Sequence, residues 1–376
     1  MGDEETKILA KSHPMVGGDG ARSYAKNSSY QRAVMNATKE MVEDAIADKL
    51  DFKTLEIEAS KTFQIADLGC STGPNTFIAV QNIIEAVEQK YLIQRQNPNS
   101  ALEFQVFFND HNDNDFNTLF KTLPPERKYF ATGVPGSFYS RLFPEKTLHF
   151  IHSSYSLHWL SRVPEEIVDS KSPAWNKSSI QCTGLVKEVT EAYAAQFNND
   201  MESFLNARAQ ELVGGGLMVI VISILPNGIP MAKTAEGKIY DLLGSCLIDL
   251  AKMGLIDEEK VDSFNFPLYY PTCEEIEAII RRNGLFSIER MKIFAPVVPG
   301  EMTFSAERST AQIRAVFEGL IEEHFGHEFI DQLFINFTRK QLAENFLKSD
   351  DLKNHNKIDL FIALKRINTI DSYWSM

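Results

Sequence analysis

A chain of 376 residues, 44% hydrophobic and 24% charged, is long enough for an enlarged α/β domain or two ordinary ones and has a globular composition. Its formal net charge of −13 and the lack of a long basic run argue against a nucleic-acid surface, and no apolar stretch reaches transmembrane length. The cysteines Cys70, Cys182, Cys246 and Cys273 are scattered, with no CxxC pair or Cys/His cluster; this argues against a disulfide framework or structural zinc and suits a reducing, cytoplasmic setting.

The polar, acidic N-terminus has neither signal-peptide nor transit-peptide character. Short apolar runs at 63–67, 104–109, 148–152, 217–224, 286–294 and 360–365 predict buried parallel strands. After the first run, Val80, Ile83, Ile84 and Val87 recur with i, i+3, i+4, i+7 spacing, and Tyr91 extends the stripe, which predicts a helix over 76–91. The alternation of strand and helix predicts a doubly wound, mostly parallel α/β sheet. Two regions break it. Segment 161–212 carries a long amphipathic helix with Val186, Val189, Tyr193, Phe197, Phe204 and Leu205 on its apolar side. Segment 306–347 is a second helical block, with Ile313, Val316, Phe317, Leu320 and Ile321 in register. Together with 231–283 these are expected to form an α-helical cap, built from insertions, over the sheet edge where ligands bind in such folds. The core is then 52–160, 213–230, 284–305 and 348–366, with 14–51 closing the site.

The stretch Asp67-Leu68-Gly69-Cys70-Ser71-Thr72-Gly73-Pro74-Asn75 joins the first strand to the helical pattern. Glycines there let backbone approach a ligand, and the helix start offers unpaired N–H groups. A dinucleotide fingerprint would read G-x-G-x-x-G with an acid about 20 residues on. Here the glycines are Gly69 and Gly73, and the acid, Asp110, ends the second strand, where it can accept both ribose hydroxyls of a nucleoside. Asp67 sits where an amino-acid ammonium or an ordered water could lie. This pattern favours S-adenosylmethionine over NAD, and no phosphate-binding lysine follows the loop. An ordinary capped strand–turn–helix is the bland alternative.

Two further clusters stand out, 133–144 and 149–160; the latter runs from a strand into an aromatic, polar loop. Core packing is the commoner fate of Tyr155 and Trp159 taken alone, and a lone His158 is more often structural than catalytic. Taken together, the motifs Ser23-Tyr24-Ala25-Lys26-Asn27-Ser28-Ser29-Tyr30-Gln31, the glycine loop, Phe108-Asn109-Asp110, Val134-Pro135-Gly136-Ser137-Phe138-Tyr139, His152-Ser153-Ser154-Tyr155-Ser156-Leu157-His158-Trp159-Leu160 and Asp262-Ser263-Phe264-Asn265 span most of the chain. In these the chain resembles the plant SABATH family of S-adenosylmethionine-dependent methyltransferases, most of all members that act on terpenoid acids such as loganic and farnesoic acid. The stretch 208–213 contributes to that likeness.

The resemblance implies a class I, Rossmann-like methyltransferase fold, a homodimer and a small carboxylic acid substrate. It implies that Tyr24, Asp67, Gly69, Cys70, Asn75, Asp110, His111, Ser137 and Phe138 surround the methyl donor. Gln31 and Trp159 match the pair that hydrogen-bonds the substrate carboxylate, and Tyr155 and His158 match pocket positions. Asn176, Asp262, Phe264 and Asn265 match a magnesium (Mg2+) site ascribed to the family. The chemistry suits such a set. A carboxylic acid with a pKa of about 4 is already ionised at neutral pH, so the nucleophile needs no general base. Gln31 and Trp159 each offer a neutral N–H donor, which orients a carboxylate without neutralising it. Residues 264–270, with Phe266, Leu268, Tyr269 and Tyr270, offer apolar area for a terpenoid or aromatic acid, or else form cap core. Methylation of a xanthine nitrogen and a catalytically silent acid-binding homologue are the alternatives.

Overall fold

The computed structural model describes residues 13–55, 62–94, 101–296, 305–344 and 358–368. The parts of the expected core at 56–61, 95–100, 297–304 and 348–357, and of the expected cap at 345–347, lie outside the described residues. Strands β1 (Thr62–Leu68), β2 (Glu103–Asp110), β3 (Phe130–Pro135), β4 (Leu148–Ser154), β5 (Leu212–Ile224), β6 (Phe286–Phe294) and β7 (Ile358–Arg366) form one seven-stranded sheet in the order β3-β2-β1-β4-β5-β7-β6. β1 to β5 pair in parallel, whereas β7 runs antiparallel to both β5 and β6.

Two details differ from the sequence expectation. The run at 360–365, expected to be parallel, is antiparallel: a continuous apolar run signals burial on both faces, not direction. β3 was not expected as a strand. It is an edge strand of alternating exposed and half-buried residues, with Gly133 and Pro135 in it, so it lacks an apolar run.

The helices are α1 (Tyr24–Asn27), α2 (Ser29–Lys49), α3 (Pro74–Gln94), α4 (Phe116–Lys121), α5 (Glu165–Val168), α6 (Lys187–Glu211), α7 (Ala235–Lys252), α8 (Glu258–Ser263), α9 (Cys273–Asn283), α10 (Ala306–Phe325) and α11 (Ile330–Ala343). Pro74 opens α3, where its missing N–H costs nothing. The stripe Val80, Ile83, Ile84 and Val87 packs with Phe63, Ile65, Val106 and α2 on one face of the sheet. On the other face Val189, Tyr193, Phe197, Phe204 and Leu205 of α6 share a core with Ile151, Ile220 and Ile362. Ile276, Ile279 and Ile280 of α9 join the same core. α6 and α9 were expected in the cap. They are instead the crossovers on the sheet face, because their apolar stripes share one core with strand side chains of β4, β5 and β7. Val186, expected on the apolar side, precedes α6 and is exposed.

A third core, separate from both, unites α7, α10 and α11 with Phe264, Phe266 and Leu268. The described part of the helical block expected at 306–347 is a pair of antiparallel helices, α10 and α11, with Gln341 against Ala306 and Thr338 against Thr310. The chain order reverses between β1 and β4, and a crevice opens at the carboxyl ends of these neighbours.

Candidate active site

The carboxyl ends of β1, β2 and β4, with α2, α7 and α10 above them, enclose a cavity of about 580 Å³. Small-molecule sites usually span roughly 300–1,000 Å³. The wall at the end of β1 is made of backbone. Gly69 and Cys70 both donate their N–H to Asn109 O, at 2.9 and 3.0 Å. Gly69 has φ of +82°, and a Cβ there would lie 2.5 Å from Ser156 Cβ, so only glycine fits. Ser71 is also left-handed, and its N–H donates to Asp110 Oδ2 at 2.7 Å. Asp110 Oδ1 accepts from the His111 N–H at 2.8 Å. Each carboxylate oxygen keeps acceptor capacity for a ligand hydroxyl. Burial pushes the Asp110 carboxyl up, and the amides of Ser71 and His111 hold it down. These features fit the ribose of a nucleoside donor.

Phe138 closes this wall from the turn after β3. The turn is held from α6 by an ion pair that the sequence reading missed. Arg208 donates to Phe138 O and Ser140 O, each at 2.9 Å. Glu211 Oε1 accepts from the Phe143 N–H at 3.0 Å and the Leu142 N–H at 2.5 Å. The two side chains meet at 2.7 Å with no exposure. Opposite charges three residues apart on the apolar side of α6 were the available signal.

The facing wall is made of side chains. α2 brings Gln31, and the loop after β4 brings Tyr155, His158 and Trp159. That loop is pinned at many points. The Leu160 N–H donates to Pro267 O at 2.7 Å, the Tyr269 N–H to His158 O at 3.0 Å, and the Tyr139 hydroxyl to Trp159 O at 2.5 Å. The His158 ring stacks on Tyr270 at 5.4 Å, and Trp159 packs on Phe317 at 5.7 Å. Of 264–270, Leu268 and Tyr270 line the cavity. Phe266 is instead stacked on Phe317, and the Tyr269 hydroxyl donates to Glu275 at 2.8 Å. Glu236 and Ile239 of α7 and Gln312 and Ile313 of α10 complete the wall and were not foreseen.

The cavity therefore gathers Tyr24, Gly69, Asp110, His111 and Phe138 with Gln31, Tyr155, His158 and Trp159. Four expected donor contacts are not among its lining residues. Asp67 is buried beneath, where Oδ1 lies 2.7 Å from His152 Nδ1 and Oδ2 accepts from the Thr76 hydroxyl. Through these two contacts it braces the loop from beneath. Cys70 is buried, and burial raises its thiol pKa. Asn75 Nδ2 donates to Ser28 O at 3.1 Å, so it points to the N-terminal segment. Ser137 Oγ accepts from the Tyr139 N–H at 3.3 Å within its own turn.

The expected magnesium set also lies apart from the cavity. Asn176 Nδ2 donates to Asn265 Oδ1 and Gln181 O, both at 2.8 Å. Asp262 Oδ1 faces the Ser178 N–H and hydroxyl at 3.2 and 3.3 Å, and Phe264 is buried against Phe325. Magnesium demands near-octahedral oxygen donors. Here the lone carboxylate is turned to Ser178 and the Asn265 oxygen to Asn176, so the set does not fit the ion. Among the described residues no group of three His, Cys, Asp or Glu could hold a metal.

The strand order, the glycine turn after β1 and the acid ending β2 define a class I S-adenosylmethionine-dependent methyltransferase. The family model described as SAM dependent carboxyl methyltransferase matches residues 10–367, and the chain belongs to that family. A loganic acid O-methyltransferase of Catharanthus roseus is 49% identical over 358 residues, 95% of each chain. A farnesoic acid carboxyl-O-methyltransferase of Arabidopsis thaliana is 45% identical over 326 residues, 87% of this chain and 91% of that one. A solved structure of a loganic acid methyltransferase with SAH is 47% identical with a TM-score of 0.89, covering 95% of this chain and all of that one. The protein is accordingly an enzyme that transfers methyl from S-adenosylmethionine to a carboxylate.

Proposed function

We propose that the acceptor is a terpenoid or iridoid acid, and that Gln31 and Trp159 aim its carboxylate at the methyl group while His158 and Tyr155 bind the acid. The observation that carries this is the convergence of Gln31, from α2, and Trp159, from the loop after β4, on the cavity that Gly69 and Asp110 also line. The donor supplies a methyl group already activated on a sulfonium. Gln31 and Trp159 then have one task, to hold a carboxylate oxygen in line with it; alignment is worth more here than added charge stabilisation, since opposite charges cancel as the methyl moves. Two neutral donors leave the carboxylate its nucleophilicity. His158, stacked on Tyr270, has no proton to remove from an acid that is already ionised. Ile239, Leu268, Ile313 and Phe317 suit the apolar body of a terpenoid, and Glu236, Ser309 and Gln312 can meet hydroxyl groups on an iridoid. Names of the loganic and farnesoic acid relatives support the same range.

In this reading α7, α10, α11 and the segment 14–51 are the cap that excludes water and strengthens the carboxylate–sulfonium attraction. A homodimer is carried by the family resemblance and a cytoplasmic setting by the scattered cysteines, and no step runs through magnesium. Incubation with labelled S-adenosylmethionine and a panel of loganic acid, farnesoic acid, aromatic acids and xanthines tests the proposal. Label in methyl esters of the terpenoid acids is expected; label only in nitrogen-linked products would reject it.

A further inference from the structure

Asp359 is a fully buried carboxylate on β7, facing Ser223 of β5 and Phe294 of β6 in the sheet register. It does not line the cavity, yet two lining residues end on it. The Tyr30 hydroxyl donates to Asp359 Oδ2 at 3.2 Å, and the Tyr155 hydroxyl donates to Oδ1. Their rings meet edge-on at 5.9 Å. Tyr30 immediately precedes Gln31, and Tyr155 begins the loop that ends in Trp159. Tyr155 is held in the left-handed region, at φ of 59°, a strained conformation for a side-chain-bearing residue that persists only where its surroundings fix it. Burial and Asp359 keep its hydroxyl protonated and therefore a donor.

The Gln31 segment has a second anchor. Asn75, at the start of α3, donates to Ser28 O and Ser28 Oγ at 3.1 and 3.0 Å and accepts from Arg32 Nε at 3.2 Å. Residues 28–32 are thus tied at both ends to the donor side; on the acceptor side Ser29 Oγ accepts from Gln312 Nε2 of α10 at 3.2 Å, and Tyr30 reaches Asp359, the carboxylate it shares with Tyr155.

We infer that Asp359 is a positioning residue for methyl transfer, a buried carboxylate that sets the spacing of Gln31 and Trp159 through the hydroxyls of Tyr30 and Tyr155. This rests on the proposal above that Gln31 and Trp159 hold the acid. A carboxylate with two acceptor oxygens can bind one hydroxyl from each segment, each through its own charge-assisted bond. Misplacement by about 1 Å at a reacting pair can cost about a hundredfold in rate.

The test is steady-state kinetics of the full-length enzyme with loganic acid, or with farnesoic acid where that is the better substrate, alongside calorimetry with S-adenosylhomocysteine. Asp359→Asn and Tyr30→Phe are each expected to lower kcat/KM for the acid roughly tenfold, the effect of one hydrogen bond to a charged group. The double variant should be no worse than the poorer single one, and S-adenosylhomocysteine affinity should stay within about twofold. Additive losses would mean that Tyr30 acts by touching the acid directly, and would overturn the inference. So would an equal loss of S-adenosylhomocysteine affinity, or unchanged kinetics. If Asp359→Asn does not fold, Tyr30→Phe and Tyr155→Phe replace it, with additivity again the overturning result. Gln31→Ala separates the two levels. Impaired Gln31→Ala beside normal Asp359→Asn overturns the latch alone; normal Gln31→Ala overturns both the latch and the acid-aiming pair.

Discussion

The two walls of the cavity are built by different means. The donor wall is built on backbone turns: the turn at 69–71, with its amide contact to Asp110, and the turn that carries Phe138. The acceptor wall is side chains from segments far apart in sequence, α2, the loop after β4, α7, residues 268–270 and α10. A backbone wall tolerates few substitutions, because it depends on φ angles and on close approach. A side-chain wall can be rebuilt one residue at a time while the sheet stays intact. The first wall should therefore set which methyl donor is used, and the second which acid. Perturbations that move donor and acceptor affinities separately would sharpen this contrast; any that move both would break it.

The largest expected effect lies behind the donor wall. Arg208→Met leaves Glu211 buried without its cation, and removing one partner of a buried pair costs about 3–5 kcal/mol of stability. Arg208→Met with Glu211→Leu should recover much of that in urea unfolding. The carbonyls of Phe138 and Ser140 stay unpaired in the double variant, so its KM for S-adenosylmethionine should remain raised while the KM for the acid does not. Equal shifts in both would join the walls energetically. Gly69→Ala comes next. Left-handed strain and the contact with Ser156 together cost about 3 kcal/mol, read as lost S-adenosylhomocysteine affinity in calorimetry or as a lowered Tm.

On the acceptor wall, Trp159→Ala should lower kcat roughly a hundredfold by loss of alignment, with S-adenosylhomocysteine affinity unchanged. His158→Ala should raise the KM of the acid roughly tenfold and leave the shape of the pH–rate profile as in the wild type. Collapse of turnover together with loss of one ionisation from that profile would instead make His158 a base.

The contrast also explains what the sequence revealed. The donor wall was legible in part, because the turn at 69–71 lies in one continuous motif, 67–75, and Asp110 ends a readable apolar strand, whereas Tyr24, His111 and Phe138 were reached through family likeness; the buried strands were legible from their apolar runs. Edge strand β3 was not, since its exposed Phe130 and its Gly133 look like a loop. Within the donor motif, Asp67 and Asn75 have the residue types of ligand contacts, yet their partners Thr76, His152 and Ser28 claim them, and those pairings arise only on folding. Gln31, Tyr155, His158 and Trp159 were reached through family likeness, because nothing in their spacing joins α2 to the loop after β4. Glu236 and Gln312 escaped altogether: each is one polar residue on an otherwise ordinary amphipathic helix. The crossovers α6 and α9 look like cap helices in sequence, because an apolar stripe does not say whether a sheet or another helix will cover it.

The smallest expected effect belongs to neither wall and serves as their control. His149, on β4, accepts the Gln64 N–H at its Nδ1, at 3.0 Å, and its ring stacks on Phe63 at 5.2 Å. Burial pushes its pKa down to about 4, against about 6.5 in an unfolded chain. Between these values the unfolded chain binds a proton that the folded one refuses, so stability falls as the solution is acidified from about pH 6.5 to 4. From pH 7 to 6 this amounts to about 0.7 kcal/mol, rising toward about 3 kcal/mol near pH 4. Glutamine keeps an acceptor for the Gln64 amide but does not titrate, so in urea unfolding His149→Gln should lose about 0.7 kcal/mol less than the wild type over the same step. S-adenosylhomocysteine affinity and the KM of the acid should not change, since His149 does not line the cavity. Equal losses of stability in the two proteins would show that His149 titrates alike in the folded and unfolded chains, and a shift in either affinity would extend the site to a part of β4 that neither wall includes.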